Sequence, residues 1–307
     1  MSGFWGKVDK TLRYHGLQTV VALRGKWWDL HPVKATRPVF IVGCSRAGTT
    51  LVYKTLSESR ELGTLQRETH DFWSELHPLQ EKNWRSHALA ENDASQHDRD
   101  SVTRYFYALT GNTRFVDKNN QNGLCVPYLY TLFPDARFVY VKRSPGDNIN
   151  SLIEGWGRPD EFATWSGNLP EVIAIDDGRY SRWCFFIADG WRDLVNASIE
   201  EVCAFQYNAI NTAILNARSL VPEAQWTEVF YEELVRDPVA GFREIYRQCG
   251  LAFDAQIRRH TEEVLSMPYN AFSEIRVDKW KESRNREKIT RILPKVQQTA
   301  LAMGYRD

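Results

Sequence analysis

The chain has 307 residues, 43% hydrophobic and 25% charged, a composition that excludes a disordered, collagenous or low-complexity protein. Thirty-nine Lys and Arg balance 39 Asp and Glu, so the clustered basic excess expected of a nucleic-acid partner is missing. The length suffices for one large α/β domain whose core needs no disulfide or metal staple.

Residues 1–37 carry seven Lys or Arg against two Asp, interleaved with Trp5, Tyr14, Trp27 and Trp28. This N-terminal basic aromatic extension suits either a peripheral membrane contact or a helix whose aromatics pack on the core. One domain, 38–307, is expected to follow, because no repeat or Pro/Gly/Ser linker divides it. Pro38-Val-Phe-Ile-Val-Gly43 reads as a buried parallel strand, followed by a glycine loop and a helix from about Thr49 to Ser59. Ala136-Arg-Phe-Val-Tyr-Val-Lys142 is a second strand, with Arg143-Ser-Pro-Gly as its loop and a helix from about Asp147 to Gly155. Trp226-Thr-Glu-Val-Phe-Tyr231 is a third, and Glu232 to Pro238 opens a further helical region. Strands alternating with helices predict an α/β, P-loop-like three-layer fold, with a central parallel sheet flanked by helices. Ligands in such sheets sit beyond the carboxyl ends of the strands, so residues 43–50 and 143–151 are expected on one rim.

Five cysteines, Cys44, Cys125, Cys184, Cys203 and Cys249, are odd in number and form no CxxC pair. They predict reduced thiols and a cytoplasmic protein, peripheral at the inner face of a membrane if the N-terminus makes that contact. No run approaches the ~18 to 20 apolar residues of a spanning helix, and the first residues lack a signal peptide's apolar centre. His70, His77, His87 and His97 invite a metal reading, but with no HExxH pattern and no Cys partner none is expected.

Gly43-Cys-Ser-Arg-Ala-Gly48-Thr49-Thr50 has the Gly-x4-Gly spacing of a phosphate loop between a strand and a helix. The P-loop lysine that reaches the β and γ phosphates is replaced by Thr49, and Arg46 sits inside the loop instead. A triphosphate kinase is therefore disfavoured, while a 5′-phosphate group suits the bidentate Arg46 and the hydroxyls of Thr49 and Thr50.

This segment resembles the 5′-phosphosulfate loop of sulfotransferases that use 3′-phosphoadenylyl sulfate (PAPS), in its bacterial and Golgi-type Arg-Ser-Gly-Thr-Thr form, with Ala47 for the usual Ser. Phe138-Val-Tyr-Val-Lys-Arg143-Ser-Pro-Gly-Asp147, with Ser151 eight residues beyond Arg143, is similar to the family's 3′-phosphate element. The resemblance implies that Arg46, Ala47, Gly48, Thr49 and Thr50 hold the 5′-phosphosulfate, and Arg143 and Ser151 the 3′-phosphate. Phe115-Val-Asp-Lys118 resembles an Asp-Lys-x-Pro segment, although Asn119-Asn120 stands where the Pro is expected. It implies that Lys118 lies near the transferring sulfuryl group. Looser matches at Tyr231-Glu-Glu-Leu-Val-Arg-Asp-Pro238 and Asp278-Lys279-Trp280 bring Tyr231 and Lys279 toward the nucleotide.

The resemblance also implies a glutamate base shortly after the loop, where Glu68 stands, with His70 as its chemical rival. No metal is required. The acceptor is expected to be a small molecule, glycan or lipid bearing a hydroxyl or amine. Residues 152–206, with ten Asp or Glu, four Lys or Arg, and Trp156, Trp165, Trp183, Trp191, Phe185 and Phe186, either line its pocket or form a helical core. Two alternatives stay open: a divergent P-loop kinase using ATP and Mg²⁺, and a module that binds 3′,5′-nucleotides without catalysis.

Overall fold

Four short runs rich in Val, Phe and Ile form one parallel sheet: β1 (Val39–Val42), β2 (Val116–Lys118), β3 (Arg137–Lys142) and β4 (Trp226–Phe230). The computed structural model describes residues 17–266 and 275–306. The strand order is β2-β1-β3-β4, so the chain runs outward from β1 to β2 and then returns to β3 on the other side. The crevice of such a sheet opens where that direction reverses, at the carboxyl ends of β1 and β3.

Strand alternation sorts the core. Val39, Ile41, Val139 and Val141 enter one hydrophobic cluster, and Phe40, Val42, Phe138 and Tyr140 enter the other. Every β1 side chain is at most 1% exposed, as a sheet covered on both faces requires. The sheet is thus the middle of three layers. Its cover includes α2 (Thr49–Leu56), α5 (Val126–Leu132), α6 (Pro145–Trp156), α7 (Ile199–Ala217), α8 (Tyr231–Arg236) and α9 (Pro238–Cys249). Two further helices, α3 (His70–Leu76) and α4 (Gln96–Thr110), lie in the crossover from β1 to β2.

The expected strands and the helices after β1 and β3 are all present, shifted by up to three residues at their ends. The expected helix to Ser59 stops at Leu56, and the helix expected from Asp147 starts at Pro145, whose fixed φ suits a first helical turn. Strand β2 is only three residues long, too short to show a strand pattern in the sequence.

Residues 1–16 of the N-terminal extension lie outside the described residues. Residues 17–30 form a helix, α1. Trp28 is buried at 8% exposure and Asp29 pairs with Arg104 at 2.7 Å, which fixes α1 against α4. All five cysteines are buried and unpaired. Among the described residues no helix is long and apolar enough to cross a membrane.

Candidate active site

Beyond Val42 the chain turns on Gly43 (φ 151°) and Gly48 (φ 101°). A Cβ at Gly43 would stand 2.6 Å from the Val141 carbonyl oxygen, and one at Gly48 2.4 Å from the Tyr231 ring. Both glycines therefore answer a positive φ and a close approach together. Gly48→Ala is expected to remove roughly 2–5 kcal/mol of stability, the sum of the left-handed and overpacking penalties. A urea midpoint unchanged from the parent would show that the Tyr231 ring simply moves aside.

Arg46, between the glycines, also has a positive φ of 67°. Its Nε donates to Ser151 Oγ at 3.4 Å, and its guanidinium lies 5.3 Å from the Phe162 ring centroid. Arg143, the first residue after β3, donates through Nη1 to the Arg46 carbonyl at 2.7 Å and lies 4.4 Å from the Tyr231 ring centroid. Asn148 of α6 donates to the Ser45 carbonyl at 2.8 Å. The two loops expected on one rim are thus laced together, with Ser151 and Tyr231 at the seam. Thr49 and Thr50 open α2, whose first amides have no carbonyl partner within the helix.

Electrostatically the rim gathers cations, and Glu68, Glu154 and Glu161 offset only part of their mutual repulsion at Arg46. Burial, then the neighbouring charge of Arg143, pulls the Arg46 guanidinium down to about 10. Lys279 is also lowered, by burial first and with a further push from Arg143. The carboxylate of Asp147 accepts the backbone N–H of Asp278 at 2.6 Å and of Trp280 at 3.1 Å, which carries Lys279 to the rim. Ser45 Oγ, Arg143 Nε and Ser144 Oγ are buried without a hydrogen-bond partner among the described residues. Crowded cations and orphaned donors are the chemistry of a site that takes a phosphate-bearing ligand.

At the neighbouring strand end, Ile41 is in register with Lys118. Lys118 Nζ donates to Glu68 Oε1 at 2.5 Å, with the lysine side chain 5% exposed and the glutamate 26%. Asp117 holds the Glu68 segment in place. It accepts from Thr69 Oγ1 at 2.5 Å, Trp73 Nε1 at 3.2 Å and Asn122 Nδ2 at 3.1 Å. Burial raises the Asp117 carboxyl above the usual range, against the downward pull of those three donors. His70 instead faces Asp71, with Nε2 3.2 Å from Oδ1.

Sequence reasoning singled out Lys118 and Glu68 but missed Asp117, Thr69, Trp73 and Asn148, which orient them or the loop. Only the Asp-Lys dipeptide signalled Asp117; the others are ordinary polar or aromatic residues until the fold joins them. The four histidines do not converge: His77 Nε2 meets Tyr128 OH at 2.9 Å, His87 Nδ1 meets the Ile187 N–H at 2.9 Å, and His97 Nε2 meets Ser101 Oγ at 3.5 Å. Among the described residues no group of three His, Cys, Asp or Glu is placed to hold a metal ion. Of the two readings of residues 152–206, the core holds for most of the aromatics. Trp156, Trp183, Trp191, Phe185 and Phe186 are at most 2% exposed, while Trp165 is only partly buried.

A glycine loop opening onto a helix at the carboxyl rim of a parallel sheet, ringed by Arg46, Arg143 and Lys279, is the arrangement of a nucleotide-binding α/β protein. The sequence matches the model described as the sulfotransferase family over residues 38–183 and 178–255, and the chain belongs to that family. Among curated proteins none matches. A solved sulfotransferase from Mycobacterium avium, STF9, is similar with a TM-score of 0.54 at 16% identity, over 92% of this chain and 80% of that one. A sulfotransferase from Alicyclobacillus acidocaldarius is similar with a TM-score of 0.50 at 17% identity, over 89% of this chain and 98% of that one. At these identities the likeness is one of fold.

Proposed function

We propose that the protein moves the sulfuryl group of PAPS to a hydroxyl or amine of a small-molecule, glycan or lipid acceptor, with Glu68 as base. The observation that carries this reading is the 2.5 Å Lys118–Glu68 pair beside the Gly43–Gly48 loop. Arg46, Gly48, Thr49 and Thr50, with the Ala47 backbone, would hold the 5′-phosphosulfate. Arg143 and Ser151 would take the 3′-phosphate, with Tyr231 and Lys279 beside the nucleotide.

As the acceptor oxygen bonds to sulfur, the sulfur–oxygen bond to the 5′-phosphate breaks and its electron pair stays on that phosphate. The acceptor proton passes to Glu68. Protonation removes the counter-charge of Lys118 just as negative charge grows on the leaving oxygen, so the ammonium becomes free to neutralise it. The products are the sulfated acceptor and adenosine 3′,5′-bisphosphate. Neither step calls for a metal. The kinase alternative lacks the P-loop lysine, and the Lys118–Glu68 pair favours catalysis over nucleotide binding alone.

Glu68→Gln is expected to slow sulfuryl transfer about 10²- to 10⁴-fold, measured as bisphosphate released from PAPS across a panel of phenols and alcohols. Binding of adenosine 3′,5′-bisphosphate should stay within about threefold of the parent. A variant as fast as the parent would give the base to another group, His70 first.

A peripheral contact with an anionic membrane is a second element of the proposal. On α1, Leu17, Val20, Leu23, Trp27 and Leu30 are 42–76% exposed and recur at helical spacing. The stripe stands in the segment with seven Lys or Arg against two Asp, complementary to an anionic lipid surface. The protein is expected to float with phosphatidylserine-containing vesicles and to lose most of that binding on Leu23→Glu with Trp27→Glu. Equal flotation of parent and variant would remove α1 from any membrane role.

A further inference from the structure

One residue beyond Lys118 lies a cleft that the reaction above leaves unused. It encloses about 430 Å³ including its mouth, with a clear interior of about 20 Å³, room for one oxygen-sized group. Trp73, Leu79, Leu89 and Leu129 make much of its wall apolar. Two lining side chains are more than nine-tenths buried: His87, 8% exposed, and Asn119, 4% exposed. His87 Nε2 and Asn119 Nδ2 have no hydrogen-bond partner among the described residues.

Both groups are fixed in orientation. The Ile187 N–H approaches His87 Nδ1 at 2.9 Å, closer than the Ile187 carbonyl at 3.3 Å, so Nδ1 accepts and the ring proton sits on Nε2. Burial pushes the imidazole down to about 3, so the ring is neutral near pH 7. Asn119 Oδ1 accepts the Gln121 N–H at 3.2 Å, which leaves Nδ2 as the free end of the amide. Three neighbouring polar groups are committed elsewhere: Trp73 Nε1 and Asn122 Nδ2 to Asp117, and His77 Nε2 to Tyr128 OH. A buried, unpaired N–H is costly, and two in one cleft that includes the residue after Lys118 point to a ligand.

We propose that this cleft recognises a neutral oxygen of the acceptor, held between His87 Nε2–H and Asn119 Nδ2–H. The acceptor class is then an apolar alcohol or phenol that carries a second, hydrogen-bond-accepting oxygen such as a ketone. The inference rests on the sulfuryl-transfer reading for the acceptor's location. The Lys82 ammonium also lines the cleft but is engaged by the Asp93 carboxylate at 3.5 Å and the Ala88 carbonyl at 2.9 Å. The two uncharged donors in a largely apolar wall therefore favour a neutral oxygen over a carboxylate and repel a second ammonium. Sulfated and unsulfated forms would be held alike there, so the contact selects the acceptor and leaves the chemistry to Glu68 and Lys118.

The test uses the full chain saturated with adenosine 3′,5′-bisphosphate and two probes of one shape, para-hydroxyacetophenone and para-ethylphenol. They differ by the carbonyl oxygen. Calorimetry is expected to give the ketone at least about tenfold tighter binding to the parent. Asn119→Leu keeps the branched shape and removes the donor, and should cut the preference below about threefold. Equal affinities for the parent, binding of neither probe at millimolar concentration, or a preference that survives Asn119→Leu would each overturn the proposal. The bisphosphate titration separates the two levels. If the bisphosphate fails to bind, the sulfuryl-transfer reading falls; if it binds and the ketone gains nothing, this inference alone falls.

Discussion

Lys118→Met is expected to slow sulfuryl transfer by about 10³-fold, the upper range for deleting one preorganised group at a developing oxyanion. The methionine keeps the stem's volume inside the sheet, where Lys118 is 4% exposed, so the loss should fall on the rate and not on folding. Affinity for adenosine 3′,5′-bisphosphate should change less than about fivefold, because the product nucleotide lacks the transferring group. The contrast with Glu68→Gln is informative. Glutamine still accepts a hydrogen bond from Lys118 and keeps the cation in place, so its deficit reports the proton alone. A Lys118→Met enzyme within tenfold of the parent would show that Arg46 carries the charge stabilisation.

Arg143→Ala has the second largest expected effect, on binding. A guanidinium to a phosphate is a charge-assisted contact of about 1.5–3 kcal/mol, so affinity for the 3′,5′-bisphosphate should fall about 10- to 150-fold. Adenosine 5′-monophosphate has no 3′-phosphate and should lose less than about fivefold. That smaller loss is expected because Arg143 also holds the Arg46 carbonyl at 2.7 Å and lies against Tyr231, both features of the 5′ side. Equal losses for the two nucleotides would make Arg143 a brace for the loop and leave the 3′-phosphate to another group.

How legible these features were in the sequence follows from their range. The loop Gly43 to Thr50 is a local device: two glycines, a strand before and a helix after, all contiguous between Val39 and Leu56. Arg143 and Ser151 are equally local, one at a strand end and one on the next helix. Glu68 and Lys118 are 50 residues apart, and their meeting depends on β2 pairing beside β1. Strand β2 is too short for a period-two pattern to be read, so the resemblance pointed to Lys118 where periodicity did not. Asp117, which ties Thr69 and Trp73 to the same place, is a buried carboxylate whose partners only the fold supplies. The aromatics of residues 152–206 are the converse case. A high density of Trp and Phe fits a pocket or a core equally well, and burial of most of them decides it.

Calorimetric titration of the metal-free protein with adenosine 3′,5′-bisphosphate, with ATP plus Mg²⁺ in parallel, tests the nucleotide specificity on which the proposed reaction depends. Micromolar binding of the bisphosphate and little binding of ATP are expected, since Thr49 stands where a triphosphate site needs its lysine. Preference for ATP with Mg²⁺ would contradict the sulfuryl-transfer reading and leave Arg143 and Ser151 without their phosphate.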